Sequence, residues 1–81
     1  MRVTVRLFAR LRDIAGAGEL EREVAPDATA AAVFDGLVRE FPELSAYRQS
    51  LSTAINTDYA RMGDLVHEGD EVAFLPPVSG G

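Results

Sequence analysis

The group with the most chemistry open to it in these 81 residues is the α-carboxylate of the last residue, Gly81. A carboxylate is a poor acyl donor, because its negative charge and resonance deter nucleophiles. Adenylation converts it into an acyl-phosphate anhydride, which a sulfur nucleophile can open to leave a thiocarboxylate. The residues before it suit delivery of such a group. Gly80 and Gly81 have no side chains and the smallest cross-section a peptide can have. Val78 and Ser79 precede them, and Pro76 and Pro77 have φ fixed and no N–H to donate. Pro77 also drives Pro76 towards extended backbone. At roughly 3.3 Å per residue, Pro76 to Gly81 reach about 20 Å. That is the shape of an arm that carries a terminal carboxylate down a narrow channel in another protein.

The other reactive side chains do not assemble into a site. His67 is the only histidine and cysteine is absent, so no transition-metal set can be completed. It is expected at the surface, in an acidic turn. Asp64, Glu68, Asp70 and Glu71 lack the spacing of a calcium loop and read as a solvated turn. Ser45, Ser50, Ser52 and Ser79 have no base partner except His67, and none lies in a nucleophile elbow. Gly16 and Gly18 lack the third glycine and the long helix of a phosphate loop. The chain is therefore expected to hold no complete active site, and no bound cofactor or metal.

The arm must be launched from a folded body. Arg2–Phe8 alternates with period two, placing Val3, Val5 and Leu7 on one face and Arg2, Thr4, Arg6 and Phe8 on the other, the pattern of a half-buried strand. Leu11, Ile14 and Ala15 predict a helical turn that stops at Gly16 and Gly18. Residues Glu19–Val24 alternate again as a second strand in a hairpin with the first. Thr29 is the expected N-cap of a helix over Ala30–Phe41, with Ala30, Val33, Phe34, Leu37, Val38 and Phe41 as its buried stripe. Gly36 inside that helix is read as a mark of close packing, and Pro42 ends it. Residues Glu43–Leu51 are a loop with a short helical turn. Strands follow at Ser52–Asn56 and Tyr59–Arg61, with Thr57-Asp58 as the turn between them. Leu65, between the turn signals Gly63-Asp64 and Glu68-Gly69-Asp70, is expected in the core. A last strand, Glu71–Leu75, leaves its sheet at Pro76.

The order β-β-α-β-β-β, with one long helix for one face of a mixed sheet, is an α+β fold. It divides into a domain at 1–75 and a tail at 76–81. No apolar run of 18 residues is present, so no membrane span is expected. The start has no charged-then-apolar leader, so the expected location is cytoplasmic. A net charge of −5 argues against a nucleic-acid surface. All eight basic residues are arginine, so an activated terminus finds no lysine amine on its own chain.

The ending Glu68-Gly69-Asp70-Glu71-Val72-Ala73-Phe74-Leu75-Pro76-Pro77-Val78-Ser79-Gly80-Gly81 resembles that of the MoaD family, the small subunits of molybdopterin synthase. Val5-Arg6-Leu7-Phe8-Ala9-Arg10-Leu11-Arg12-Asp13 and Ala54-Ile55-Asn56 are similar to the same family. The resemblance implies a ubiquitin-like β-grasp and a sulfur carrier whose reacting group is Gly81. It implies a ubiquitin-activating-like adenylyltransferase (MoeB-like) that uses ATP on Gly81, and a persulfide relay as sulfur source. It implies a large subunit (MoaE-like) that receives the tail and passes sulfur to the cyclic pyranopterin precursor of molybdenum cofactor biosynthesis. The family's complex is a heterotetramer. Ser79 stands where threonine or alanine is also common, and Leu75 where phenylalanine is frequent. A sulfur carrier for thiamin, cysteine or tRNA thiolation, a ubiquitin-like protein modifier and a plain ligand-binding domain remain as alternatives.

In a β-grasp sheet the first and last strands are neighbours. Phe8 and Leu75, both on the face away from the helix, would then meet beside the root of the tail. They are expected to form a partner-docking patch with Pro76, Pro77, Val78, Ser79 and Gly80. The competing expectation is that Phe8 folds under the Leu11–Ile14 turn as ordinary core.

Overall fold

Alternation of Val3, Val5 and Leu7 with Arg2, Thr4 and Arg6 makes a strand with one oily face, and that strand is the centre of the architecture. A computed structural model describes residues 1–77. It contains β1 (Arg2–Leu7), α1 (Ala9–Ala15), β2 (Glu19–Glu23), α2 (Ala30–Glu40), a 3-10 helix (Pro42–Tyr47), β3 (Ser52–Ile55), β4 (Asp58–Ala60) and β5 (Glu71–Leu75). The five strands form one sheet in the order β2-β1-β5-β3-β4. The β1–β2, β3–β4 and β3–β5 pairs are antiparallel, and β1–β5 is parallel. The sheet is therefore mixed, with the first and last strands adjacent at its centre.

The inner face carries the core. Val3, Val5 and Leu7 of β1 and Val72 and Phe74 of β5 are buried against Ala30, Val33, Phe34 and Leu37 of α2. Phe34 and Phe74 meet edge to face, with ring centroids 5.1 Å apart at 63°, the geometry that the ring quadrupoles favour. Leu11 from α1 and Leu44 from the 3-10 helix close the ends of this layer. The Thr29 Oγ1 accepts from the Ala32 N–H at 3.2 Å, capping α2 as its sequence requires. Gly16 ends α1 at φ 76°, its N–H donating to the Arg12 carbonyl, a left-handed cap that suits glycine. Pro42 starts the 3-10 helix at its first turn, where a missing N–H costs nothing.

Three expectations are corrected. Leu65 is 55% exposed, and its neighbour Val66 is the buried residue. The reason is backbone pairing: Leu65 bridges Thr29, and the Val66 N–H donates to the Ala28 carbonyl at 3.0 Å. Extended backbone turns adjacent side chains to opposite sides, so only one of the two can enter the core. Gly36 marks no close approach, because a Cβ added there meets nothing within 4 Å. The β3–β4 turn falls on Asn56 and Thr57, at φ 52° and 73°, so β4 begins at Asp58. Two successive positive φ values are what a two-residue hairpin needs to match strand twist.

Candidate partner-docking site

Polar residues on β1 and β2 claim most of the sheet's outer face. Cross-strand neighbours are matched in chemistry: Arg2 opposite Glu23, Thr4 opposite Glu21 and Arg6 opposite Glu19. The Thr4 Oγ1 donates to Glu21 Oε2 at 2.6 Å, and Arg2 Nε to Glu23 Oε1 at 3.3 Å. These exposed pairs each contribute at most about 1 kcal/mol, but they leave the outer face of β1–β2 charged. Towards β5 and β3 the chemistry changes to Ala73, Leu75 and Ala54.

Phe8 follows β1 and Leu75 ends β5. Leu7 pairs with Phe74 in parallel register, so the next residue of each strand emerges alongside the other, on the outer side. Phe8 is 37% exposed and stands apart from the core, while Leu11 is fully buried without it. Phe8 therefore does not fold under the α1 turn as ordinary core. Phe8 and Leu75 are shared by two adjoining open grooves. One, of about 590 Å³, is completed by Ala9, Arg10, Tyr47, Pro76 and Pro77. The other, of about 380 Å³, runs over Ala54 and Ala73 to Tyr59, with Arg6, Thr57 and Glu71 along its side. The result is a largely apolar strip, edged by Arg6, Arg10 and Glu71, that ends where the chain leaves β5. Pro76 is half-buried and Pro77 exposed. Val78, Ser79, Gly80 and Gly81 lie outside the described residues.

Tyr47 and Tyr59 belong to this strip and are not singled out by sequence. Tyr59 is 89% exposed in β4, where a large aromatic left in water on a three-residue edge strand is itself a signal. Tyr47 closes the 3-10 helix, a segment without readable periodicity. Ala9, between Phe8 and the rest of α1, has φ 51°, an uncommon conformation for a residue with a Cβ. That kink separates the direction of β1 from that of α1 at the residue whose ring faces outward.

The acidic turn before β5 is organised by Asp70. Its Oδ1 accepts from Asn56 Nδ2 at 2.8 Å, and its Oδ2 from the His67 N–H at 2.7 Å. Burial pulls the Asp70 carboxyl upward, but these hydrogen bonds and the nearby imidazole outweigh it, so the net shift is below the ordinary value of 3.8. His67 itself is at the surface, its Nδ1 3.6 Å from Asp70 Oδ2. Among the described residues no cluster of three or more histidine and acidic side chains is arranged to hold a metal ion. No helix among them is long and apolar enough to cross a membrane. A larger groove, of about 660 Å³, runs between β2 and α2. It lies away from the root of the tail and is crossed by the Arg22–Glu40 ion pair.

The model of the ThiS family matches residues 5–81, so the match runs through the last glycine. The molybdopterin synthase sulfur carrier subunit of Arabidopsis thaliana is 35% identical over 79 residues, which are 98% of this chain and 82% of that protein. The subunit of the same name from Drosophila melanogaster is 39% identical over 82 residues, covering 98% of this chain and 90% of that one. Among solved structures, the crystal structure of SAMP1 from Haloferax volcanii superposes with a TM-score of 0.87 at 32% identity, over the full length of both chains. The strand order, the helix on one face and this superposition establish the ubiquitin-like β-grasp that the sequence leads one to expect.

Proposed function

This chain belongs to the ThiS family, and on that premise we propose that it is the small, sulfur-carrying subunit of a molybdopterin synthase. The observation that carries the reading is the continuity of the family match through Gly81, with similarity to sulfur carrier subunits over nearly the whole chain.

In this reading the Gly81 carboxylate attacks ATP on a ubiquitin-activating-like adenylyltransferase of the MoeB type, releasing pyrophosphate. A persulfide sulfur then displaces AMP to form an acyl disulfide. A thiol cleaves its S–S bond, leaving with the relay sulfur as a disulfide and freeing a thiocarboxylate at Gly81. A large subunit of the MoaE type docks on the Phe8–Leu75 strip and takes in Pro76, Pro77, Val78, Ser79, Gly80 and Gly81 as an extended arm. The thiocarboxylate sulfur bonds to the cyclic pyranopterin precursor of the molybdenum cofactor. Water then cleaves the acyl–sulfur bond, which leaves the sulfur on the pterin and regenerates the carboxylate for another round. ATP is a substrate of the activating enzyme and not a group this chain holds. Two small subunits on a central pair of large ones, in the cytoplasm, complete the proposal. What supports the docking surface is its position: β5 delivers its own outward residues, Ala73 and Leu75, and then the arm, from one strand.

The test is intact mass after incubation with the activating enzyme, ATP and a sulfur donor. The expected product is heavier by one sulfur exchanged for one oxygen, and it converts the pterin precursor when the large subunit is added. A chain that never acquires the sulfur, with an activating enzyme proven on another carrier, overturns the proposal.

A second reading is favoured by the superposition on SAMP1, whose name in Haloferax volcanii is small archaeal modifier protein 1. The same activated Gly81 would then acylate lysines of other proteins. Higher-mass covalent adducts that resist thiols and require Gly81 support this reading. A free thiocarboxylate with no such adducts supports the first.

A further inference from the structure

Phe8 stands on the outer face of the sheet, partly covered, in a groove that Leu75, Tyr47 and Pro76 also line. It is 37% exposed, and its backbone is extended (φ −127°, ψ 155°) just ahead of the kink at Ala9. A ring in that setting changes rotamer on the picosecond-to-nanosecond scale unless a neighbour restrains it. One charged neighbour is Arg6, two residues back and therefore on the same face. Its guanidinium carbon lies 5.7 Å from the centroid of the Phe8 ring, within the range of a cation–π contact.

Arg6 is itself held from both sides. On the β2 side its Nε is 3.9 Å from Glu19 Oε1, and on the β5 side its Nη1 is 3.4 Å from Glu71 Oε2. The Glu71 main chain is tied to the β3–β4 turn, its N–H donating to Asn56 Oδ1 at 2.9 Å. The guanidinium thus sits between two carboxylates on flanking strands with its central carbon over the Phe8 ring. The Phe8 ring lies beside that cation, at the boundary between the charged and the more apolar part of the outer face. A partner carboxylate would gain little from Arg6 directly, because two carboxylates of this chain already answer its charge.

We infer that Arg6 is a positioning residue for partner docking: it acts through Phe8, holding the ring in the outward pose that the partner meets. The inference rests on the docking strip proposed above. A ring already held in its bound pose loses less rotamer freedom on association. The gain from Arg6 is thus felt only while Phe8 is present.

The experiment uses the full chain with para-fluorophenylalanine at position 8, followed by fluorine NMR, and calorimetric titration with purified large subunit of molybdopterin synthase. Arg6→Gln is expected to shift the fluorine resonance of the free chain and to weaken binding about two- to fivefold. Arg6→Lys, which keeps a cation over the ring, is expected to recover part of both. In the Phe8→Ala background Arg6→Gln should cost no further affinity. An unmoved fluorine resonance in Arg6→Gln overturns the inference. So does an equal affinity loss with and without Phe8, which would make Arg6 a direct contact. If Phe8→Ala binds as well as the unchanged chain, the docking strip is refuted and the inference falls with it. The fluorine signal of the free chain then shows separately whether the Arg6 restraint exists.

Discussion

Asn56 is bonded at both ends of its amide to the turn that starts β5. Its Nδ2 donates to Asp70 Oδ1 at 2.8 Å, and its Oδ1 accepts from the Glu71 N–H at 2.9 Å. Its own N–H donates to the Glu71 carbonyl at 2.8 Å. One side chain therefore ties the β3–β4 turn to the strand that leads into the tail. Asn56 also has φ 52°, which asparagine tolerates better than alanine does. Asn56→Ala should lose about 2 kcal/mol of unfolding free energy, from two side-chain hydrogen bonds and the strained φ. Asn56→Gly relieves the strain but loses the same bonds, so it should fall between the two in urea unfolding. Equal stability for all three chains would show that the tie contributes nothing.

Asp70, the other end of that tie, makes stability depend on acid. Its folded pKa lies below the ordinary 3.8, since the bonds from Asn56 and His67 outweigh the upward pull of burial. A carboxyl depressed in the folded state contributes stability that is fully present above its unfolded pKa of about 3.9. That contribution is lost as pH falls through the lower folded value. Asp70→Asn should therefore be less stable than the unchanged chain at neutral pH, with the gap closing at the acid end. Urea unfolding across about pH 3 to 7 measures it. Curves that stay parallel throughout would remove Asp70 from the acid limb.

How much of this was legible in the sequence depends on whether a signal was local. Val3, Val5 and Leu7 declare their face by period two, and Thr29 declares its helix by type and place; both are as the structure has them. Leu65 and Val66 were not separable, because the choice is made by pairing with Ala28 and Thr29, more than 30 residues earlier in sequence. The Asn56–Asp70 tie is equally non-local. Neither residue shows its partner in its own neighbourhood. In the docking strip, Phe8 and Leu75 followed from alternation plus the strand order that the family resemblance implies. Tyr47 did not, because a 3-10 helix carries no amphipathic period long enough to read.

Two backbone positions offer stability that the fold does not use. Gly36 lies exposed in the middle of α2, and a Cβ there meets nothing within 4 Å. Gly36→Ala should stabilise the chain by about 1 kcal/mol. Thr57 has φ 73°, a strained setting for a β-branched residue, so Thr57→Gly should be neutral to stabilising by about 1 kcal/mol. Thermal unfolding reads both. A destabilised Gly36→Ala would reveal a packing role that the geometry does not contain.

The tail carries its own prediction. If Gly81 is the group activated, one residue added after it should abolish thiocarboxylation and leave the fold unchanged. Gly80→Val should also impair transfer, because a branched side chain widens an arm proposed to enter a narrow channel of the partner. Circular dichroism checks the fold and intact mass checks the sulfur. Normal thiocarboxylation of the extended chain would place the chemistry elsewhere.

The docking strip makes the prediction that separates binding from folding. Phe8 and Leu75 lie on the outer face, outside the layer in which Phe34 and Phe74 pack. Truncating a buried core phenylalanine costs about 3–5 kcal/mol of stability, and Phe34→Ala should do so here. Truncating an aromatic that is exposed in the free chain but buried by a partner costs little in folding. It costs about 2 kcal/mol or more in association, a loss of roughly thirtyfold in affinity. Phe8→Ala and Leu75→Ala should therefore bind the large subunit or the activating enzyme much more weakly while melting within a few degrees of the unchanged chain. Tyr59→Ala, at the far end of the strip and 89% exposed, should leave stability unchanged and weaken binding only if the partner's footprint reaches β4. Calorimetric titration and thermal melts on the same samples give both numbers. The outcome that would sink the idea is the reverse pattern: Phe8→Ala and Leu75→Ala each losing several kcal/mol of stability, yet binding normally once folded.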